Sequence, residues 1–313
     1  MSTDSEAQSS QPSVMQSILQ ASDGEEWQRF VLESLESISG PLAAKMLSQI
    51  NLGASTTEPF KLLDQGCGMS VVAPLLNKTV PREVLERSNI LCGDFSGPLV
   101  EVVKKRIEKE GWVNTRAEVV DAQREQNSGL PAKSFTHVVS NIMYHLVPDS
   151  RAALKDSIGL LRPGGTLAFT TWHRQNDGWV SDVRSAFDTL PAAFLPADYS
   201  FQMPMQMTSY GHWDDVNWIK QALVSEGLED VKVDVLAHLC EMKGPEHFMK
   251  GNAVVVEVAA KLTLGLSSEG DEGRERVDKV KRLVKEHLVN KYGEEGRWYL
   301  TWVSIIASGR KPS

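Results

Sequence analysis

The chain has 313 residues, with 33 Lys and Arg against 41 Asp and Glu, a formal charge of −8 at pH 7. That length buries a sizeable core, as one enlarged domain or a domain with a cap, and the acidic balance repels a phosphate backbone, which excludes nucleic acid as the default partner. The three cysteines Cys67, Cys92 and Cys240 are too few and too scattered for a disulfide framework or a zinc site. No stretch reaches the roughly 18 apolar residues of a membrane span, so the expectation is a soluble, cytoplasmic protein with neither membrane partner nor metal.

Met1 to Val14 is rich in Ser, Gln and acidic residues and lacks the basic and apolar regions of a signal peptide, so residues 1–24 read as a disordered tail. From Trp27 onward Val31, Leu35 and Ile38, then Leu42, Met46 and Ile50, recur at helical spacing around Gly40-Pro41. Two helices forming a cap over 25–58 are expected, closing the cleft of the domain that follows. Phe60 to Asp64 is a short apolar run that enters Gln65-Gly66-Cys67-Gly68, the pattern of a buried strand, a tight turn and a helix. Asn89 to Gly93 ends on Asp94 before an amphipathic helix through Leu99, Val103 and Ile107; Ala117 to Val120 ends on Asp121, and Phe135 to Ser140 ends on Asn141. Leu154, Ile158 and Leu161 mark a further helix, closed by Arg162-Pro163-Gly164-Gly165 ahead of a fifth strand, Thr166 to Thr171. This alternation over 59–175 predicts a doubly wound, mainly parallel sheet with right-handed crossovers.

Beyond Trp172 the pattern loosens. Residues 176–228 are rich in aromatics and methionines, and because ligands bind outside the carboxyl ends of parallel strands, the segment is expected to be a lid over an acceptor. Residues 229–313 then complete the sheet, with a strand over Val231–Leu239, a helix over Asn252–Leu264, an acidic linker over Ser267–Gly273, a helix through Val277, Val280, Val284 and Leu288, and a closing strand from Trp298.

The chemistry concentrates at successive strand ends. Gly66 and Gly68 let a ligand approach the backbone, and the following helix offers unpaired N–H groups. The third glycine of a dinucleotide fingerprint is missing, Ser70 standing where a fuller fingerprint would place a glycine, and no lysine follows as a P-loop requires, so NAD and ATP both lose ground. Asp94 is placed to accept hydrogen bonds from both hydroxyls of a ribose, and Asp121 from an adenine amino group. Any one of Asp64, Asp94 and Asp121 alone reads as a loop acid or helix cap, and it is their series at three successive strand ends that points to an adenosyl cofactor. His145, just past the fourth strand, is the best-placed general base for an oxygen acceptor, with packing at the start of a helix as its structural alternative.

Leu62 to Gly68, Gly93-Asp94-Phe95-Ser96, Val120-Asp121-Ala122, Phe135 to Asn141 and Leu161 to Gly165 together resemble the ordered motifs of class I S-adenosylmethionine (SAM)-dependent methyltransferases. The rest of the chain resembles, less specifically, small-molecule methyltransferases of fungal natural-product pathways. The resemblance implies a Rossmann-like α/β fold with a seven-stranded sheet, N-terminal helices and an inserted helical lid. It also implies SAM contacts from Gln65, Gly66, Gly68, Asp94, Phe95, Asp121, Ala122 and Asn141. Tyr144, Trp172, Met207, Tyr210 and Trp213 are the candidates for binding a small, largely apolar acceptor at oxygen, nitrogen or sulfur. Ser70 and Thr136 depart from the family's usual glycine and aspartate. Two alternatives stay open: a SAM-fold enzyme catalysing a cyclisation or rearrangement, and a regulatory protein that binds a protein partner. Oligomeric state is not readable from the sequence.

Overall fold

A computed structural model describes residues 25–123, 129–203, 205–266, 268 and 270–313. The tail expected over 1–24 and the side chain of Trp27 lie outside the described residues. The chain forms two compact units, one built from residues 35–177, 204–240 and 301–313, the other from residues up to 34, 178–203 and 241–300.

The larger unit opens with the end of α1 (Glu25–Ile38) and α2 (Gly40–Gln49), whose Leu42, Ala43, Met46 and Leu47 are buried. Then follow β1 (Lys61–Gln65), α3 (Val72–Thr79), the short α4 (Arg82–Leu85), β2 (Asn89–Asp94), α5 (Gly97–Glu110), β3 (Thr115–Val119), β4 (Phe135–Asn141), α6 (Ser150–Leu160) and β5 (Leu161–Trp172). Later in the chain come α8 (Val216–Ser225), β6 (Glu229–Met242) and β7 (Trp298–Arg310). The strands form one seven-stranded sheet in the order β3-β2-β1-β4-β5-β7-β6. β1, β2, β3, β4 and β5 pair in parallel, and β7 runs antiparallel to β5, with Trp172 opposite Ser304. Strand order reverses between β1 and β4, and such a switch point leaves a crevice at the carboxyl ends of the strands.

Alternation along the strands explains why their sequences are apolar throughout. Leu62, Ile90, Cys92, Val139, Ala168 and Ile306 join α2, α3 and α5 in one core layer, while Leu63, Leu91, Val138, Leu167, Phe169, Ile305 and Ala307 join α6 and α8 in the other. Each fully buried aliphatic of this kind contributes roughly 1.5–3 kcal/mol relative to exposure. Local signals set the helix ends. Asp149 caps α6 by accepting from Ala152 N–H, Asp215 caps α8 through Asn217 and Trp218, and Gly111 ends α5 in the left-handed conformation. Lys311 donates from Nζ to the carbonyls of Ile158 and Leu161, satisfying the last turn of α6 from the far end of the chain.

The smaller unit holds α7 (Val180–Phe187), a short 3-10 turn (Ala192–Phe194), α9 (Pro245–Leu264) and α10 (Gly270–Tyr292). Val277, Val280, Val284 and Leu288 form the buried stripe of α10. Asp182, buried in α7, accepts from Lys291 Nζ, Tyr292 OH and Trp298 Nε1, so its charge is fully engaged. Three sequence expectations shift here. α9 begins at Pro245 rather than Asn252, because proline suits the first helical turn. The expected linker over 267–273 gives way at Gly270 to α10, whose Asp271 and Glu272 favour a helix N-terminus. The stretch expected as one lid, 176–228, is divided, with 178–203 in the smaller unit and 205–228 in the larger.

Candidate cofactor site and active site

The site lies in the larger unit and starts with the turn after β1. Gly66 and Gly68 take left-handed backbone conformations, φ 68° and 57°, and so does Ser70 at 57°. Ser70 thus keeps the geometry of the glycine it replaces and accepts the steric cost of its Cβ, on the order of 1–2 kcal/mol. Its side chain offsets this by donating to Asp64 Oδ2 and accepting from Ala73 N–H at the start of α3. The two glycines differ in their surroundings. A Cβ on Gly66 would lie 2.6 Å from Met143 Sδ, whereas a Cβ on Gly68 would meet nothing within 4 Å. Gly66 is closed by packing, and Gly68 faces open space.

Asp94, 5% exposed at the end of β2, accepts from Gly68 N–H and from Ser96 N–H, both at 2.9 Å. These bonds join the glycine turn to the second strand and fix both carboxylate oxygens, each of which retains a lone pair for a further donor. Burial raises its pKa, and the two N–H bonds oppose that rise. Phe95 follows at the surface with 53% exposure, an apolar face unusual for so large a side chain. Beyond β3, the half-buried Asp121 accepts from Gln123 N–H, and Ala122 beside it is buried. Gly66, Gly68, Asp94, Phe95, Asp121 and Ala122 therefore all stand at the carboxyl ends of β1, β2 and β3, as an adenosyl cofactor requires. A backbone cradle with room for a ligand, followed by an oriented carboxylate, fits SAM.

The structure corrects several side-chain expectations. Gln65 points into the core, where Nε2 donates to Asp156 and Oε1 accepts from Ser157, so only its backbone faces the turn. Asn141 is engaged internally, accepting from Thr170 Oγ1 at 2.6 Å and donating to Ser39 O at 3.3 Å. Tyr144 and Trp213 are fully buried and stacked, with ring centroids 4.9 Å apart; Tyr144 OH pairs with Ser157, and Trp213 Nε1 donates to Ser150. They are core residues rather than acceptor contacts, because burial of an aromatic with its polar tip satisfied is a stable packing arrangement. Trp172 and Tyr210 are half-buried, and Met207 is exposed, its N–H donating to His145 O. His145 is 2% exposed, and neither ring nitrogen has a hydrogen-bond partner among the described residues. Burial pulls its pKa down to about 3, so it holds a proton poorly and is ill suited to act as a general base.

Arg106 and Asp64 complete the turn. Arg106, buried in α5, donates from Nη1 to the carbonyls of Met69 and Ser70 and pairs through Nε with Glu110. Its spacing puts it with Leu99 and Val103 on the buried side of α5, and only its hydrogen bonds show that it clamps the turn. Asp64 lies beneath that turn with Oδ1 unpartnered, and burial pushes it up to about 7, with the Asp94 charge adding to the rise and the Ser70 bond opposing it. The neighbouring Cys92 thiol and burial push the Cys67 thiol well above its usual range. Among the described residues no group of three or more His, Cys, Asp or Glu is placed to hold a metal ion.

The strand order, the glycine turn at the switch point and the acids at the ends of β2 and β3 are the arrangement expected of a class I SAM-dependent methyltransferase. Residues 63–169 match the family model described as a methyltransferase domain. Methyltransferase tpcH of Aspergillus fumigatus is 28% identical over 275 residues, covering 88% of this chain and 93% of that protein. Acetylaranotin bis-thiomethyltransferase of Aspergillus terreus is 25% identical over 279 residues, 88% of this chain and 92% of that protein. Methyltransferase ktnA of Aspergillus niger is 28% identical over 217 residues, 63% of this chain and 68% of that protein. The chain is a SAM-dependent methyltransferase.

Proposed function

We propose that this enzyme methylates an oxygen, nitrogen or sulfur atom of a small, largely apolar metabolite of a fungal natural-product pathway, in the cytosol. The observation that carries the cofactor half is the pairing of Gly68, open to a ligand, with Asp94, whose carboxylate is aligned by Gly68 and Ser96 N–H. The acceptor half is supported by relatives matching over 88% of the chain, one of them named as a bis-thiomethyltransferase of acetylaranotin. The charge of −8 disfavours nucleic acid, the free thiols of Cys67, Cys92 and Cys240 suit a reducing compartment, and no described helix is long and apolar enough to cross a membrane.

When bound, SAM supplies a sulfonium methyl group open to in-line displacement. The protein's work is alignment and exclusion of water. Asp94 would hold the ribose hydroxyls and Asp121 would accept from the adenine amino group, with Phe95 and Ala122 as further contacts and the backbone of Gly66 and Gly68 carrying the methionine end. Asn141 keeps Ser39 and Thr170 in register behind the site, and Trp172, Met207 and Tyr210 face the acceptor. A thiol, with an ordinary pKa of about 8.5, loses its proton without help; a phenol near 10 gains more from polar surroundings. His145 serves as a neutral hydrogen-bonding group for the acceptor rather than as a proton store.

Calorimetric titration with SAM, S-adenosylhomocysteine and NAD tests the reading. Binding of the first two and not of NAD is expected, followed by transfer of labelled methyl to a panel of thiols and phenols. Absence of SAM binding would overturn it.

A further inference from the structure

The carboxyl end of β5 holds two buried hydrogen-bond donors that the protein itself leaves unused. Trp302 is 3% exposed and Asn176 is 7% exposed, and neither Trp302 Nε1 nor Asn176 Nδ2 has a partner among the described residues. The orientation of the Asn176 amide is settled by its other atom, since Oδ1 accepts from Val303 N–H at 2.8 Å, so the NH2 group is the one left over. Both donors belong to one joint between β5 and β7. His173 N–H donates to Val303 O, Asn176 N–H donates to His173 O, and the indole of Trp302 lies against that of Trp172, the last residue of β5, with ring centroids 4.8 Å and planes 36° apart.

Burying an unsatisfied donor costs about 1–3 kcal/mol, and folded proteins leave few of them. Two in one joint, beside a half-buried indole and at the edge where this type of sheet binds its ligands, are readily explained as groups kept for a ligand. Since both are donors, the ligand must supply lone pairs, and the Trp172 ring offers it a flat apolar surface.

We propose that Trp302 Nε1–H and Asn176 Nδ2–H hold an oxygen of the methyl acceptor while its ring lies against Trp172, so that the enzyme selects oxygenated aromatic molecules, phenols or aryl ketones. The assignment rests on the methyltransferase reading and narrows its acceptor class.

The test uses the full chain with nitrogen-15-labelled tryptophan, saturated with S-adenosylhomocysteine and titrated with acetonaphthone and with ethylnaphthalene, a probe of similar shape without oxygen. Acetonaphthone is expected to move the Trp302 indole N–H resonance downfield and to bind roughly tenfold more tightly than ethylnaphthalene. Trp302→Phe, which keeps a ring and removes the donor, and Asn176→Asp, which keeps the acceptor for Val303, should each weaken acetonaphthone about five- to tenfold and leave ethylnaphthalene unchanged. An unmoved Trp302 resonance, or equal affinity for the two probes, overturns the proposal; where a variant fails to fold, the comparison of probes on the native chain decides. Binding of S-adenosylhomocysteine in the same sample reports the cofactor site separately. Its loss sinks the methyltransferase reading, whereas its retention without preference for the ketone sinks only the acceptor assignment.

Discussion

Adding one methyl group at Gly66 and the same group at Gly68 should produce opposite phenotypes. Both residues have left-handed φ, so alanine at either position costs on the order of 1–2 kcal/mol of backbone strain. At Gly66 the new Cβ falls 2.6 Å from Met143 Sδ, well inside the roughly 3.5–4.0 Å of ordinary contact. Met143 is buried in the core layer of α6 and has little room to retreat, so overpacking adds about 1–3 kcal/mol. Gly66→Ala is therefore expected to lose about 2–5 kcal/mol of stability in urea denaturation. At Gly68 no atom lies within 4 Å of the new Cβ, so the fold bears only the strain, while the methyl group occupies the space a ligand would approach. Gly68→Ala should lower stability by about 1–2 kcal/mol and weaken SAM binding tenfold or more by calorimetry. If Gly68→Ala binds SAM like the native chain, the open face of that glycine is not the cradle and the cofactor assignment fails.

Asp94→Asn places an amide donor against one of two N–H groups that need an acceptor and removes the charge; with hydrogen bonds to charged groups worth about 1.5–3 kcal/mol, SAM affinity should fall about a hundredfold, and unchanged affinity in calorimetry would refute the ribose role. Asp64 titrates from an ordinary 3.8 up to about 7 in the fold, so the native state retains a proton that the unfolded chain releases. Stability without ligand should therefore decline as pH rises across that window, by at most about 1.4 kcal/mol per pH unit, and Asp64→Asn should flatten the decline; denaturation midpoints measured across that window check the sign. Arg106→Met leaves the carbonyls of Met69 and Ser70 without their donor and should weaken SAM binding more than fivefold with no contact to the ligand; a loss of stability alone, with affinity intact, would make Arg106 a packing residue only.

Much of the larger unit was legible from local pattern. Apolar runs that end on Asp94 and Asn141 became β2 and β4 with those same end residues, and the run Phe60–Asp64 became β1 shifted by one residue, because a strand buried on both faces must be apolar throughout and its polar end marks where the chain leaves the sheet. Ser70 was legible as a departure from glycine. That it keeps the left-handed turn was not, since the compensating bonds to Asp64 and Ala73 depend on which groups face it.

The acceptor side shows the opposite case. Tyr144 and Trp213 have the composition of a ligand pocket, but their partners, Ser157 and Ser150, lie on α6, 13 and 63 residues away along the chain, and that pairing makes them core. Gln65 was misplaced for the same reason, taken for a ligand contact, and the hydrogen bonds by which Arg106 holds the turn could not be read from its spacing. Residue type and spacing alone determined the order of strands and helices along the chain, the glycine turn and the acids at the strand ends, because these follow from backbone geometry within a few residues. Which polar side chains are consumed internally, and which, like Trp302 and Asn176, are buried without a partner, was decided only by tertiary packing, because a hydrogen bond is satisfied or left open by groups distant in sequence.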